Sequence, residues 1–151
     1  MFLVSDSSTS REERIREILT EDPPLAVLLS VIHFEWTVRR AIIALGVSLN
    51  IEIRDRMKSA HGHKQYKEAW QDKVFPKINK RLPEIVDNWD GLIRSFKLRH
   101  RIVHGINSCG REYAEPRVDW AVTAAYNVRS VCTDHGVNLD GRLPVRRQRK
   151  G

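Results

Sequence analysis

From Leu82 to Phe96 the apolar residues Leu82, Ile85, Val86, Trp89, Leu92, Ile93 and Phe96 recur three and four positions apart. That is the period of an α-helix with one face turned to a core, and it predicts one long helix from near Leu82 into the stretch Leu98–Gly105. Carried forward at about 100° per residue, the stripe passes through positions 99, 100, 103 and 104. Only Val103 keeps the pattern. His100 falls in the middle of the projected stripe, with Arg99 and His104 on its two edges, roughly 140° apart. Side chains that carry charge or handle protons, placed where packing alone asks for Leu or Ile, mark a candidate functional site.

The opposite side of the same helix changes character near its end. Gly91 and Ser95 are small, and Leu98, Ile102 and Ile106 follow at four-residue steps, giving a second apolar line. One line serves a core; the other is open to another helix or to another subunit. Asp87, Asp90, Arg94, Lys97 and Arg101 make the remaining face, which reads as solvent-facing.

The rest of the chain is also helical in pattern. Residues 1–10 read as a Ser-rich leader, with Ser10 a candidate cap for a helix from Arg11 to Leu19. Asp22 then caps and Pro23 opens a helix through Leu45, because the first turn does not need the N–H that proline lacks. His33, Glu35, Arg39 and Arg40 exclude this helix as a membrane span. Glu35 and Arg39 stand in the favourable order for a surface ion pair, and Ser30, His33, Thr37 and Arg40 form a narrow polar line. The simpler reading is a solvated or inter-helix face; the sharper one has Glu35 or Arg40 reach toward His100 and His104. Asn50 to Ala60 carries mixed charge, and a helical segment through Tyr66, Trp70 and Phe75 is interrupted by Pro76. Asn107 to Glu115 reads as a loop, and Pro116 opens a last helix ending near His135-Gly136.

No segment alternates like a buried strand, so the expected fold is all-α, a four- to five-helix antiparallel up-and-down bundle over residues 11–136, with 137–151 a basic C-terminal tail. The 151 residues suffice for one domain with a core of its own. Two cysteines, Cys109 and Cys132, are too few for a disulfide framework, and no apolar run near Met1 resembles a signal peptide, which leads us to expect a cytoplasmic protein. The 26 Lys and Arg against 19 acidic residues, a formal charge of +7, favour polyanionic partners. His61-Gly62-His63 and Cys132-Thr133-Asp134-His135 lack further ligands at metal spacing, so neither metal nor cofactor is expected. Phosphate-loop and hydrolase-elbow motifs are absent from the sequence.

Arg99-His100-Arg101-Ile102-Val103-His104-Gly105, at the end of a long helix in a small all-α chain, resembles the signature of the HEPN superfamily: Arg, a polar residue, three further residues, then His. The likeness covers Arg11 to His135. It implies a homodimeric, metal-independent endoribonuclease in which the motifs of two protomers form one composite cleft. Such proteins are often toxins paired with an antitoxin protein or effectors of phage defence. Arg99, His100 and His104 would be catalytic, with Lys97, Arg101 and Arg40 binding RNA and Glu35 in support.

The side chains suit that chemistry. Cleavage without metal uses the RNA 2′-OH as nucleophile, and an imidazole, whose unperturbed pKa lies near neutrality, can take its proton. The permanently charged fork of Arg99 can hold phosphate oxygens. A second His104 or His100 can protonate the leaving 5′-oxygen, leaving a 2′,3′-cyclic phosphate and sparing DNA. Other readings stay open. His100 and His104 can be core histidines bonded to the polar line of the preceding long helix, with a buried Arg99 answered by Glu35. The chain is then a non-catalytic RNA- or nucleotide-binding module, or a partner of an antitoxin or nucleotidyltransferase.

Overall fold

The computed structural model describes residues 6–105 and 108–146. Met1–Ser5, Ile106, Asn107 and the basic run 147–150, all of which the sequence reading drew on, lie outside the described residues. Every regular element among those described is helical: α1 (Ser8–Glu21), α2 (Pro23–Leu45), α3 (Asn50–Met57), α4 (His63–Lys73), α5 (Phe75–Ile78), α6 (Leu82–Ile85), α7 (Trp89–Val103) and α8 (Arg111–Asp134). None of these helices is long and apolar enough to cross a membrane.

The helix boundaries follow local chemistry. Ser7, not Ser10, caps α1: its side chain accepts from the Ser10 N–H, which draws Ser8 and Arg11 into the helix and into the interior. The Asp22 carboxylate accepts from the Leu25 N–H at 3.2 Å, as a cap should. The helix expected through Phe75 is interrupted, at Val74, and Pro76 stands in the first turn of α5. The long helix expected from Leu82 is two helices. After α6 the backbone at Val86 is extended, and the Asn88 side chain accepts from the Gly91 N–H at 2.8 Å to start α7 afresh. The apolar period runs through this break because Leu82, Ile85 and Val86 are buried like Leu92 and Phe96. Such breaks raise the helix number from the expected four or five to eight among the described residues. At the other end, α8 begins at Arg111, so Pro116 lies inside it instead of opening it.

The chain groups into two compact units, Met1–Glu35 with Asn88–Tyr126, and Trp36–Asp87 with Asn127–Gly151. In the first, Ile15 and Leu19 of α1, Ala26 and Val27 of α2, Leu98 of α7 and Ala114, Val118 and Val122 of α8 share one core, and Phe34 meets Phe96 edge to face with ring centroids 5.9 Å apart. Helices α7 and α8 run antiparallel and close. Gly91 lies under the Trp120 ring, where a Cβ would come within 2.6 Å of the indole, and the Ser95 hydroxyl donates to the Arg117 carbonyl at 2.7 Å. The second apolar line of α7, from Gly91 through Leu98 to Ile102, is therefore covered within the same chain.

In the second unit, Trp70, Tyr66, Ile42, Leu45, Ile53, Leu82 and Leu139 are fully buried. Arg39 is not the surface partner of Glu35 that its spacing predicts: its three guanidinium nitrogens donate to the Tyr66 hydroxyl and to the Met57 and Ala60 carbonyls. Residues 137–146, read as the start of a tail, are anchored. Arg40 donates to the carbonyls of Leu139 (2.8 Å) and Gly141 (2.7 Å), and Arg146 donates to those of Ile43, Ala44 and Ser48 at the end of α2.

Candidate functional site

Arg99, His100 and His104 occupy the last turn and a half of α7, a helix that needs no side chain beyond Val103 because the His104 N–H still reaches the His100 carbonyl at 3.1 Å. Gly105 then turns the chain away at φ +68°, a conformation that favours glycine. The side chains do not continue the core stripe. His100 and His104 are exposed, and Val103, expected to be buried, is 65% exposed. The reason is a rotation of the buried face: α7 packs Gly91, Leu92, Ser95, Phe96 and Leu98 inward, so the line through Ile93 comes out at the surface as the helix proceeds.

Exposure removes the reading of His100 and His104 as core histidines. The buried members of the polar line on α2 have their own partners: Ser30 donates to the Val27 carbonyl at 2.8 Å, and His33 Nε2 lies 2.9 Å from the Glu12 carboxylate. The imidazoles of His100 and His104 instead stand beside each other, centroids 4.2 Å apart and planes inclined by 60°. Lys97 and Arg101, also exposed, share their face, since positions 97, 100, 101 and 104 are neighbours on a helix surface. Two ring nitrogen pairs flanked by two cations can bind an anion and move protons at it.

Arg99 looks the other way. Its guanidinium pairs with Glu35 and stacks 5.1 Å from the Phe96 centroid, and burial lowers its pKa from the ordinary arginine value. Glu35 thus meets Arg99, the pairing that the non-catalytic alternative offered, and not His100 or His104; Phe96 joins it as a shelf that sequence reasoning missed. Its signal was only a position three residues before Arg99. Arg40 is in the second unit, engaged with Leu139 and Gly141 and stacked on Trp36, and burial lowers its pKa too. Among the described residues no group of three or more His, Cys, Asp or Glu gathers as a metal site.

Compared with protein-family models, with curated proteins and with solved structures, the chain matches none of them.

Proposed function

We propose that this chain is a metal-independent endoribonuclease of the HEPN type, acting as a homodimer in the cytoplasm, in the manner of a toxin held by an antitoxin protein or a phage-defence effector. The observation that carries the reading is the pair of exposed imidazoles, His100 and His104, 4.2 Å apart on a face shared with Lys97 and Arg101. One imidazole takes the proton of the 2′-OH as that oxygen attacks phosphorus; a second, from the same chain or its partner copy, gives a proton to the departing 5′-oxygen. The products are a 2′,3′-cyclic phosphate and a 5′-hydroxyl. Arg99 steadies the phosphorane charge when Glu35 shares it. Val103, exposed between Arg99 and His100 on the helix surface, gives a second copy an apolar contact at the motif itself.

One observation favours a second reading. The Arg99 guanidinium already has a carboxylate partner in Glu35, as in a structural ion pair, which suits a non-catalytic RNA- or nucleotide-binding module or a protein partner of an antitoxin or nucleotidyltransferase. Incubating the protein with labelled RNA in excess EDTA separates the two. The nuclease reading expects cleavage by wild type, cyclic-phosphate ends, and loss of product with His104→Ala and with Arg99→Ala. Intact RNA under a folded, dimeric wild type leaves the binding reading.

A further inference from the structure

The outward side of the packed pair α7 and α8 carries a second set of residues suited to RNA. On α8, the Arg117 guanidinium lies 3.6 Å from the Tyr113 ring centroid and 5.8 Å from that of Trp120, a continuous aromatic–guanidinium–aromatic ladder. Arg117 is held flat there because its Nη1 donates to the Tyr113 carbonyl at 2.9 Å. Tyr113 is 46% exposed, so the ring is open to a further stacking partner. The register of the two helices, fixed by Gly91 under Trp120 and by Ser95 on the Arg117 carbonyl, sets this ladder beside α7. Successive positions of α7 away from α2 are Arg94, Lys97 and Arg101, all exposed, and none of the ion pairs among the described residues involves them. Of the carboxylates nearby, Glu115 and Asp119 of α8 are paired with Arg111 and Arg16, while the exposed Glu112 beside Tyr113 and Asp90 at the start of the α7 row enter none of these ion pairs, leaving three cations of the row against two carboxylates.

Cations in a row beside stacked π-faces are what a flexible, unpaired strand needs: phosphates follow the charges and bases lie on the rings. A duplex, its bases already stacked, gains only the charges. We propose that the outward face of α7 and α8 is a binding platform for single-stranded RNA, with bases stacked on Tyr113 and the Arg117–Trp120 ladder and the backbone led along Arg94, Lys97 and Arg101 to the imidazoles of His100 and His104. The inference rests on the nuclease reading for its ligand, and it names that enzyme's substrate class as unpaired RNA.

The test is fluorescence anisotropy with a labelled 12-nucleotide unstructured RNA and the same strand in a duplex, using the His104→Ala chain so that the RNA stays intact. Single-stranded RNA is expected to bind more tightly than duplex. Tyr113→Ala is expected to weaken the single strand roughly tenfold and leave the duplex unchanged, Tyr113→Trp to restore it, and Arg94→Glu to lower the salt dependence of binding by about one phosphate contact. Equal affinity for duplex and single strand, or a Tyr113→Ala chain that is folded and binds as before, overturns the platform. Cleavage by wild type reports separately: RNA left uncut while Tyr113→Ala loses affinity sinks the nuclease and keeps the platform, and cut RNA with unchanged Tyr113→Ala affinity does the reverse.

Discussion

Glu35 and Arg99 meet as an ion pair with most of both side chains out of water, 16% and 21% of their side-chain surface remaining exposed. Removing Glu35 leaves the Arg99 guanidinium in a half-dry setting without its carboxylate. Glu35→Ala is therefore expected to cost about 1–3 kcal/mol, less than a fully buried pair because water still reaches both groups. Denaturant unfolding of Glu35→Ala, Arg99→Ala and the double variant checks it. Strictly additive losses would mean the pair contributes nothing as a pair.

His100 and His104 are exposed, so replacing either with Ala should change stability by no more than about 0.5 kcal/mol. Under the proposed chemistry the same changes lower RNA cleavage by about a hundredfold or more. Thermal melts and single-turnover cleavage on one preparation separate the two effects. A large drop in melting temperature would assign the histidines to the fold.

Gly91→Ala places a methyl against the Trp120 ring, and α7 and α8 must part to admit it. A loss of about 1–3 kcal/mol is expected. Gly110→Ala is the control, since nothing lies within 4 Å of a Cβ there. If urea midpoints of the two variants coincide, the close approach of α7 and α8 is not under strain.

Burial pushes the Cys132 thiol up to about 12 from its ordinary 9.0, and it raises that of half-buried Cys109 as well. Folding thus favours the protonated thiol. Its stabilising contribution is complete below pH 9 and fades as pH rises from there toward 12. A thiol-reactive disulfide reagent at pH 8 should find Cys109 slowly and Cys132 only after denaturant is added. Rapid modification of both in the native protein would contradict the burial of Cys132.

Arg40 joins α2 to the segment at Leu139 and Gly141, and Arg40→Ala removes both bonds. Destabilisation of about 1–3 kcal/mol with earlier proteolytic cleavage after Val137 is expected, and RNA affinity should hold. Affinity that falls while stability does not would return Arg40 to the RNA-binding set.

The period of three and four read the helices correctly wherever one face alone is buried, and Pro23 and Pro76 marked real boundaries. It failed at Asp87-Asn88. There the residues on both sides of the break are apolar, and only the capping chemistry of Asn88 tells one helix from two. The same failure displaced the buried face: extrapolating from Leu82 placed His100 and Val103 in the core, whereas the small residues Gly91 and Ser95 let α8 in on another side and rolled them outward. The pairing of Glu35 with Arg99 was legible because a cation on a mostly apolar helix needs a carboxylate. The stack of Arg117 between Tyr113 and Trp120 was not, since each of those residues is ordinary on a helix surface and only the register with α7 makes them a row.

Because α8 covers Gly91, Ser95 and Leu98, helix α7 keeps little apolar surface with which to hold a second copy; among its described residues Val103 is the exposed large apolar side chain. Under the proposed nuclease, a pair joined through so small a contact would exchange readily with single chains. The amount of protein present would then set the activity of that proposed two-chain site: scarce copies idle, crowded ones active, and anything that seats itself on Val103 disarming them without touching a histidine.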